Sequence, residues 1–213
     1  MDYEPTFVIG DMLSGEEEFI RSFAGMAEER EFPAGCSIVR QGEPIQNLYI
    51  ILSGMIECSF FAENGRKKII TINNGRWFFG ASSMDGNRNT MNYQCITRVI
   101  AAVMPPETVD CWDGRMLLAL ARIQKRKERI LNRQLRARAF ASVNERVLCV
   151  LRDMAHARID TNITQQTISE LVGATRVQVC KSLKLFTDEG YITSEDGVMK
   201  LTGKCLEAGY ERE

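Results

Sequence analysis

The sequence has few of the side chains from which catalytic and metal sites are usually built. It contains one histidine, His156, and its seven cysteines are scattered without a Cys-x-x-Cys pair. An iron–sulfur centre needs several thiolates at close spacing, and we find no Ser/His/Asp set, phosphate-binding loop or metal-ligand spacing. We therefore expect no enzyme activity, no metal and no cofactor, and we interpret His156 as an ordinary residue on a helix surface.

Long apolar runs and a secretory start are also missing. The longest apolar runs, such as Val99–Met104, are far too short to span a bilayer. The first seven residues, MDYEPTF, have neither the basic start nor the apolar core of a signal peptide. An odd, dispersed set of cysteines favours reduced thiols over a disulfide framework. We therefore expect a cytoplasmic protein that does not enter a membrane.

Charge is unevenly distributed along the chain, although the net charge is only −1. Residues 1–113 carry 9 Lys/Arg against 16 Asp/Glu, residues 114–141 carry 9 against 1, and residues 142–213 carry 9 against 11. The C-terminal part is therefore not generally basic. Any contact with nucleic acid must come from a local basic patch.

Residues 163–192 have the pattern of two short helices joined by a tight turn. Thr164 and Thr175 are good N-caps, and Gly173 stands where the turn between helices needs a small residue. The pattern is typical of a DNA-binding helix-turn-helix, although an ordinary helical hairpin in a larger core would look similar. The apolar residues at helical spacing are Ile168, Leu171, Val172, Val179, Leu183 and Phe186.

A β-hairpin is predicted directly after these helices. The runs Tyr191–Thr193 and Val198–Leu201 flank a turn that contains Asp196-Gly197. The Asp-Gly pair favours the positive φ angles of a tight hairpin turn. A helix-turn-helix followed by a small hairpin indicates a winged helix.

The first half of the chain has a different texture. A short helix is predicted around Phe19 and Phe23, and from Phe32 onward short alternating runs are separated by glycines. Asn64-Gly65 is the clearest hairpin turn. Many short strands at near-even spacing predict a small antiparallel barrel or roll. The predicted strands are Leu48–Leu52, Met55–Phe61, Lys68–Ile72 and Tyr93–Met104.

Three motifs in this region resemble the cyclic-nucleotide-binding roll. They are FPAGCSIVRQGE at 32–43, LYIILSG at 48–54 and GRWFFG at 75–80. Together with the winged helix, residues 30–202 resemble the Crp/Fnr family of bacterial transcription factors, which includes the cyclic-AMP receptor protein and the fumarate–nitrate regulator. The resemblance implies an α+β fold with an N-terminal cyclic-nucleotide-binding-like antiparallel β-roll, a long dimerisation helix and a C-terminal winged helix-turn-helix.

The same resemblance implies an organisation and a set of partners. Residues 1–113 would form the effector-binding roll, residues 114–141 the connector helix, and residues 142–213 the DNA-binding domain. A homodimer would bind a small effector and a palindromic promoter site in double-stranded DNA, with RNA polymerase as a further partner. A ligand-binding scaffold whose helical tail does not bind DNA is the alternative.

The effector site departs from the pattern of cyclic-AMP-binding members of the family. Those members have a glutamate after the glycine of the Phe-Gly pair, for the ribose hydroxyl, and an arginine farther on for the cyclic phosphate. Here Ala81 follows Phe79-Gly80, Arg88 comes one position early, and Asn89-Thr90-Met91 replaces Arg-Ser/Thr-Ala. We therefore expect an effector other than a cyclic nucleotide.

We expect that effector to be a small organic molecule with an apolar body and an acidic group, anchored by Arg88. The same side chains could instead be barrel core and rim, and redox switching through Cys58 or Cys95 is a rival. The residues assigned to the effector site are Trp77, Phe79, Met84, Arg88, Met91, Tyr93, Leu131 and Asn132.

The connector, predicted from Gly114 to Phe140, carries an apolar stripe with heptad spacing. Such a stripe over about three heptads is typical of a coiled-coil dimer. A hinge would follow at Ala139–Ser142, with Ser142 capping the next helix. Packing of the helix on its own barrel is the alternative. The residues assigned to the dimer interface are Met116, Leu120, Ile123, Lys127, Ile130 and Ala137.

DNA contacts are assigned to the start of each helix of the helix-turn-helix. Arg176 is kept from the family pattern, Val177 replaces its usual glutamate, and Cys180-Lys181 replaces its last pair. Valine can pack on a thymine methyl but cannot accept from cytosine N4, so we expect a half-site that differs from the common TGTGA and TTGAT types. The assigned residues are Thr164, Gln165, Thr175, Arg176, Val177, Gln178 and Lys181.

Overall fold

The computed structural model describes residues 3–44, 46–81, 84, 87–159, 163–195 and 198–207. The described chain divides into two compact units. One unit is Ile9–Arg129, and the other joins the segment that ends at Val8 to the C-terminal part from Ile130 onward. Among the described residues, no helix has both the length and the apolar character that a bilayer crossing requires.

The Ile9–Arg129 unit is built on two mainly antiparallel sheets, as the sequence predicts. The sheet orders are β1-β6-β5-β8-β3 and β2-β9-β4-β7. Phe79 of one sheet stacks on Tyr93 of the other, with ring centroids 4.0 Å apart, so the two sheets share a core. The strands are β1 (Val8–Ile9), β2 (Glu28–Phe32), β3 (Ser37–Val39), β4 (Leu48–Ser53), β5 (Met55–Phe61), β6 (Lys67–Asn74), β7 (Trp77–Phe79), β8 (Asn92–Cys95) and β9 (Val99–Met104).

The predicted single strand Tyr93–Met104 is wrong, because the chain changes sheets within it. β8 pairs with β3 and β5, whereas β9 pairs with β2 and β4. At the corner between them, the backbone amides of Ile96 and Thr97 both donate to the carbonyl of Met55. No glycine or proline interrupts residues 93–104, which is why the pattern read as one strand.

A helix precedes the roll and a long helix leaves it. Helix α1 (Glu17–Met26) buries Phe19 and Phe23, whose rings contact Phe78 edge-on. A 3-10 helix (Pro106–Cys111) follows β9 and leads into α2 (Gly114–Phe140), which has the predicted bounds. The hairpin predicted at Asn64-Gly65 is confirmed, with Gly65 at φ 76°.

The C-terminal part has the predicted winged-helix elements. Helix α3 (Val143–His156) begins at a capping box formed by Ser142 and Glu145. The strands β10 (Ile192–Glu195) and β11 (Val198–Leu201) form the antiparallel hairpin, and the Asp196-Gly197 turn lies outside the described residues. The remaining helices are α4 (Gln165–Val172), α5 (Arg176–Asp188) and α6 (Lys204–Glu207).

Burial on α2 corrects the predicted dimer seam. Met116, Ile123 and Ile130 are buried within one chain, and Ile123 has no exposed surface. Leu120, Lys127 and Ala137 are half-buried. A second heptad-spaced stripe is exposed instead, since Leu131 and Leu135 are 49% and 67% accessible and Leu117 is 46% accessible. The sequence cannot distinguish these stripes, because both faces of α2 carry leucine or isoleucine at heptad spacing.

Candidate DNA-binding and effector sites

Side-chain caps fix the two helices of the helix-turn-helix. The hydroxyl of Thr164 accepts from the Thr167 amide at 3.1 Å, and that of Thr175 accepts from the Gln178 amide at 3.3 Å. Between the helices, Gly173 takes the left-handed conformation at φ 71°, which a side chain would disfavour. The turn and both helix starts therefore have the geometry that the sequence predicts.

The start of α5 forms an exposed surface with local positive charge. Arg176, Gln178 and Lys181 are all exposed, and Val177 presents 65% of its surface. Lys184 is exposed one turn further along and was not among the predicted contacts. Its spacing of three from Lys181 could have identified it, because residues i and i+3 share a helix face. This surface can offer cations to phosphate or guanine and a methyl-bearing side chain to thymine.

Gln178 also takes part in the capping box at the start of α5. Its Oε1 accepts from both the amide and the hydroxyl of Thr175, each at 3.0 Å. A bidentate pair with adenine needs Oε1 as an acceptor as well as the amide NH2 group as a donor. Gln178 can therefore form both hydrogen bonds to adenine only if its Oε1 releases the hydrogen bonds from Thr175.

The interior of the roll contains a stack of three aromatic rings. Phe79 lies between Tyr49, at 4.7 Å, and Tyr93, at 4.0 Å, with near-parallel planes on both sides. Phe79, Trp77 and Tyr49 are all buried. Trp77 and Phe79 alternate along β7 and therefore share one face of their sheet, and Tyr93 of the other sheet stacks on Phe79.

Two sulfur atoms and a phenol meet beside this stack. The Cys58 thiol lies 3.1 Å from the sulfur of Met91, and Tyr93 is hydrogen-bonded to the same thiol. Burial raises the pKa of Cys58 to about 12 and that of Cys95 to about 11. Reactive cysteines have a lowered pKa, so this environment does not favour the redox rival.

Lys127 lies beside the aromatic cluster, where the sequence placed a dimer contact. Its ammonium is 5.3 Å from the ring centre of Trp77 and 5.1 Å from that of Phe78. Burial lowers its pKa to about 8, and the nearby Cys58 partly opposes that shift. Heptad spacing alone assigned this residue to the seam, and no sequence pattern links position 127 to β7.

The structure does not place the predicted anchor Arg88 in the aromatic interior. Arg88 is exposed, and its guanidinium donates to the carbonyl of Gly42 at 2.8 Å. Next to it, the buried Asn89 donates to the carbonyls of Arg40 and Met91, so a neutral amide stands in the loop at the position of the family's arginine. Met84 is 43% accessible. Arg88 and Met84 therefore do not join Trp77, Phe79 and Tyr93.

The last two assigned effector residues, Leu131 and Asn132, are exposed on α2. The stretch of α2 that contacts the roll lies earlier in the helix. There Arg126 donates to the carbonyls of Met12 and Ser14 and pairs with Glu16, beside the ring contacts of Lys127.

Among the described residues, no group of His, Cys, Asp and Glu is arranged to hold a metal ion. His156 is exposed on α3, as predicted, and stacks on Tyr3.

Two family models match the chain, one for each part of this geometry. The model of the cyclic nucleotide-binding domain matches residues 29–110. The model of the Crp-like helix-turn-helix domain matches residues 115–203. Between them they cover the roll, α2 and the winged helix in the predicted order.

Among curated proteins, the chain is similar to the CRP-like cAMP-activated global transcriptional regulator of Mycobacterium tuberculosis. The two are 30% identical over 193 residues, which is 84% of this chain and 86% of the relative.

Two solved structures share the fold. The c-di-GMP responsive global regulator CLP of Xanthomonas campestris has a TM-score of 0.74 at 19% identity, covering 88% of this chain and 99% of that one. CprK complexed with OCPA has a TM-score of 0.70 at 17% identity, covering 96% and 98%.

Proposed function

The chain belongs to the Crp/Fnr family of transcription regulators, and from that premise we propose how it works. It binds a palindromic promoter site as a homodimer, through the exposed start of α5. A small organic effector, other than a cyclic nucleotide, controls that binding. RNA polymerase as a partner stays a prediction from the family.

The proposal rests on the exposed surface at the start of α5. Thr164 and Thr175 cap the N-termini of α4 and α5 on either side of the turn. A helix that is fixed at its start and exposes Arg176, Val177 and Lys181 can enter a major groove and reach base edges. The capped N-terminus of α4 at Thr164 and Gln165 offers backbone amides and partial positive charge for a phosphate. We expect the half-site to carry thymine opposite Val177.

The exposed leucines of α2 support the homodimer. Leu117, Leu131 and Leu135 lie on one heptad-spaced face, and each exposes 46% or more of its surface. Burying such a face against a second copy gains about 25 cal/mol per Å² of apolar area. A twofold-symmetric protein then binds two half-sites about one helical turn apart, which matches a palindrome.

Three features argue against a cyclic nucleotide as the effector. Ala81 offers no acceptor to a ribose hydroxyl, Asn89 holds backbone carbonyls instead of a phosphate, and Arg88 is bound to Gly42 outside the aromatic stack. Each buried polar contact that is lost costs about 1–3 kcal/mol, or one to two decades of affinity. Cyclic AMP is the second candidate, because the relative from Mycobacterium tuberculosis is named as cAMP-activated.

Fluorescence anisotropy with labelled palindromes tests the DNA-binding part. We expect Arg176→Ala and Lys181→Ala each to weaken binding at least about tenfold, while Arg21→Ala, which removes the same charge from the exposed surface of α1, binds like wild type. If both α5 variants bind the best site as tightly as wild type, α5 is not the recognition helix.

Salt dependence and calorimetry test the remaining parts. DNA affinity should fall steeply with salt as counterions are released from phosphates, and the scaffold alternative predicts no DNA binding at any salt. Micromolar binding of cyclic AMP or cyclic GMP by calorimetry would overturn the effector part of the proposal and leave its DNA-binding part intact.

A further inference from the structure

Three successive cations on α2 differ in their partners. Lys125 pairs with Glu128 at 3.0 Å, and Arg126 pairs with Glu16 at 3.1 Å. Lys127 has no carboxylate within ion-pair distance among the residues that the structure describes. A cation that is held against aromatic rings without an anionic partner is unfavourable. Within the described part of the chain, no carboxylate supplies the opposite charge at this position.

A second donor without a partner lies at the same place. The side chain of Trp77 is 94% buried, with 6% accessibility, and its indole N–H has no acceptor in the described part of the chain. Buried donors are nearly always hydrogen-bonded. The ammonium of Lys127 lies over the face of this same indole, at 5.3 Å from its centre. One indole therefore brings together an unpaired cation and an unpaired hydrogen-bond donor.

Toward the interior of the roll, the ammonium of Lys127 and the indole of Trp77 are next to apolar side chains. Phe79 follows Trp77 by two residues on β7, so both side chains share one face of the sheet. The stack of Phe79 on Tyr93 continues that face. Burial lowers the pKa of Lys127 to about 8, so the amine is still mostly charged at neutral pH. An anion that reaches it would meet a poorly hydrated cation.

We propose that Lys127 and Trp77 bind the acidic group of the effector, and that this group is a carboxylate on an apolar ring or chain. The ammonium supplies the opposite charge, and the indole N–H supplies a hydrogen bond in the plane of the ring. The apolar body packs beside the stacked rings of Tyr49, Phe79 and Tyr93. This inference rests on the proposed effector control and names the class of ligand.

Phenylacetate is the probe, and the indole N–H resonance of Trp77 is the readout. The chain has two tryptophans, so the ¹⁵N-labelled protein gives two indole signals, and Trp112→Phe assigns them. We expect phenylacetate to shift the Trp77 signal, and phenylacetamide, which has the same body without the charge, to shift it far less. If phenylacetate and longer arylalkanoates leave the Trp77 signal unchanged at about 1 mM, the proposal is overturned.

Matched variants assign the charge to one lysine. By calorimetry, Lys127→Met should weaken phenylacetate binding about ten- to a hundredfold. Lys125→Met, which removes an exposed cation two residues away, should bind like wild type. Trp77→Phe keeps a ring under the ammonium and removes only the N–H, so it should weaken binding several-fold without unfolding the roll. Equal binding by wild type and Lys127→Met would exclude this site.

DNA titrations separate this inference from the proposed function. If phenylacetate binds in a manner that needs Lys127 but does not change the affinity for the palindrome, the site stands and effector control by this class is wrong. If cyclic AMP binds and Lys127→Met does not affect it, the ligand class is wrong, while DNA recognition by α5 is unaffected.

Discussion

The hydroxyl of Tyr3 donates to the carboxylate of Asp153 at 2.5 Å, although 150 residues separate them in the chain. The same carboxylate accepts from the backbone amides of Thr6, Phe7 and Val8 at 2.5–3.1 Å. Asp153 is 99% buried, with 1% accessibility. Three consecutive amides and a phenol therefore compensate one buried charge, and they fix the N-terminal segment to helix α3.

Asp153→Asn is expected to lower the free energy of unfolding by about 2–3 kcal/mol. The amide NH2 that replaces Oδ2 would face the amides of Phe7 and Val8, so donors would oppose donors. Tyr3→Phe removes only the hydroxyl and keeps a ring that can stack on His156, so it should cost about 1 kcal/mol. Urea unfolding measures both changes. Equal costs for the two variants would contradict a main role for the backbone amides.

Stability should also depend on pH through Asp153. Burial raises the pKa of Asp153 to about 6, and the hydrogen bonds from Tyr3, Phe7, Val8 and Thr6 oppose that shift. Because the unfolded pKa is lower, at about 4, the folded state binds more protons between these two values. The stability linked to Asp153 is therefore fully present below about pH 4 and is lost as the pH rises to about 6.

The difference in unfolding free energy between wild type and Asp153→Asn measures this dependence. Two neighbouring groups do not disturb this comparison: His156, whose pKa is lowered by burial, is present in both proteins, and Cys149, whose pKa is raised to about 12 by burial, does not titrate in this range. We expect the difference to change between about pH 4 and pH 6 and to be flat above. A difference that is constant across that range would contradict the raised pKa.

Gly80→Ala should destabilise the roll more than Gly65→Ala. Both glycines have positive φ, at 100° and 76°, so each alanine costs about 1–2 kcal/mol in backbone strain. At Gly80 the new Cβ would also collide with the carbonyl oxygen of Asn47, whereas at Gly65 it would meet open space. We expect a cost of at least about 3 kcal/mol for Gly80→Ala. Thermal unfolding of the pair measures the difference.

The proposed dimer face, at Leu117, Leu131 and Leu135, gives two opposite expectations for aspartate variants of α2. Leu131→Asp with Leu135→Asp should keep the fold and give a monomer of about 24.1 kDa in sedimentation. Ile123→Asp should instead unfold the Ile9–Arg129 unit, because Ile123 is completely buried and a buried charge without a partner is very costly. A folded Ile123→Asp monomer would restore the seam predicted from the sequence.

Local sequence patterns predicted the elements that local interactions determine. The bounds of α2, the caps at Ser142, Thr164 and Thr175, and the turn at Gly173 all agree with the structure. Each depends on residues within a few positions of one another. Alternation along β7 also predicts that Trp77 and Phe79 share one face, whereas the contact of Phe79 with Tyr93 joins two sheets and depends on the fold.

The remaining features depend on contacts between distant parts of the chain. β2 (Glu28–Phe32) is mostly exposed and charged, and only its pairing with β9 makes it a strand. Arg88 was assigned to the site by its distance from Gly80 along the chain, but its loop turns the guanidinium to Gly42. Lys127 was assigned to the seam by heptad spacing, but its ammonium lies against the rings of Trp77 and Phe78. No periodicity reveals which face of a long helix its own domain covers.

The hydrogen bonds between the N-terminal segment and Asp153 of α3 affect the order in which this protein can fold during synthesis. Tyr3 leaves the ribosome about 150 residues before Asp153 does. The roll sequence is complete long before then, since β9 ends at Met104. Contacts between residues so distant in sequence close late, so the first residues must wait for α3 to emerge. A C-terminal fragment that starts at Ile130 would lack these residues, and adding a synthetic peptide of residues 1–9 in trans should restore its stability.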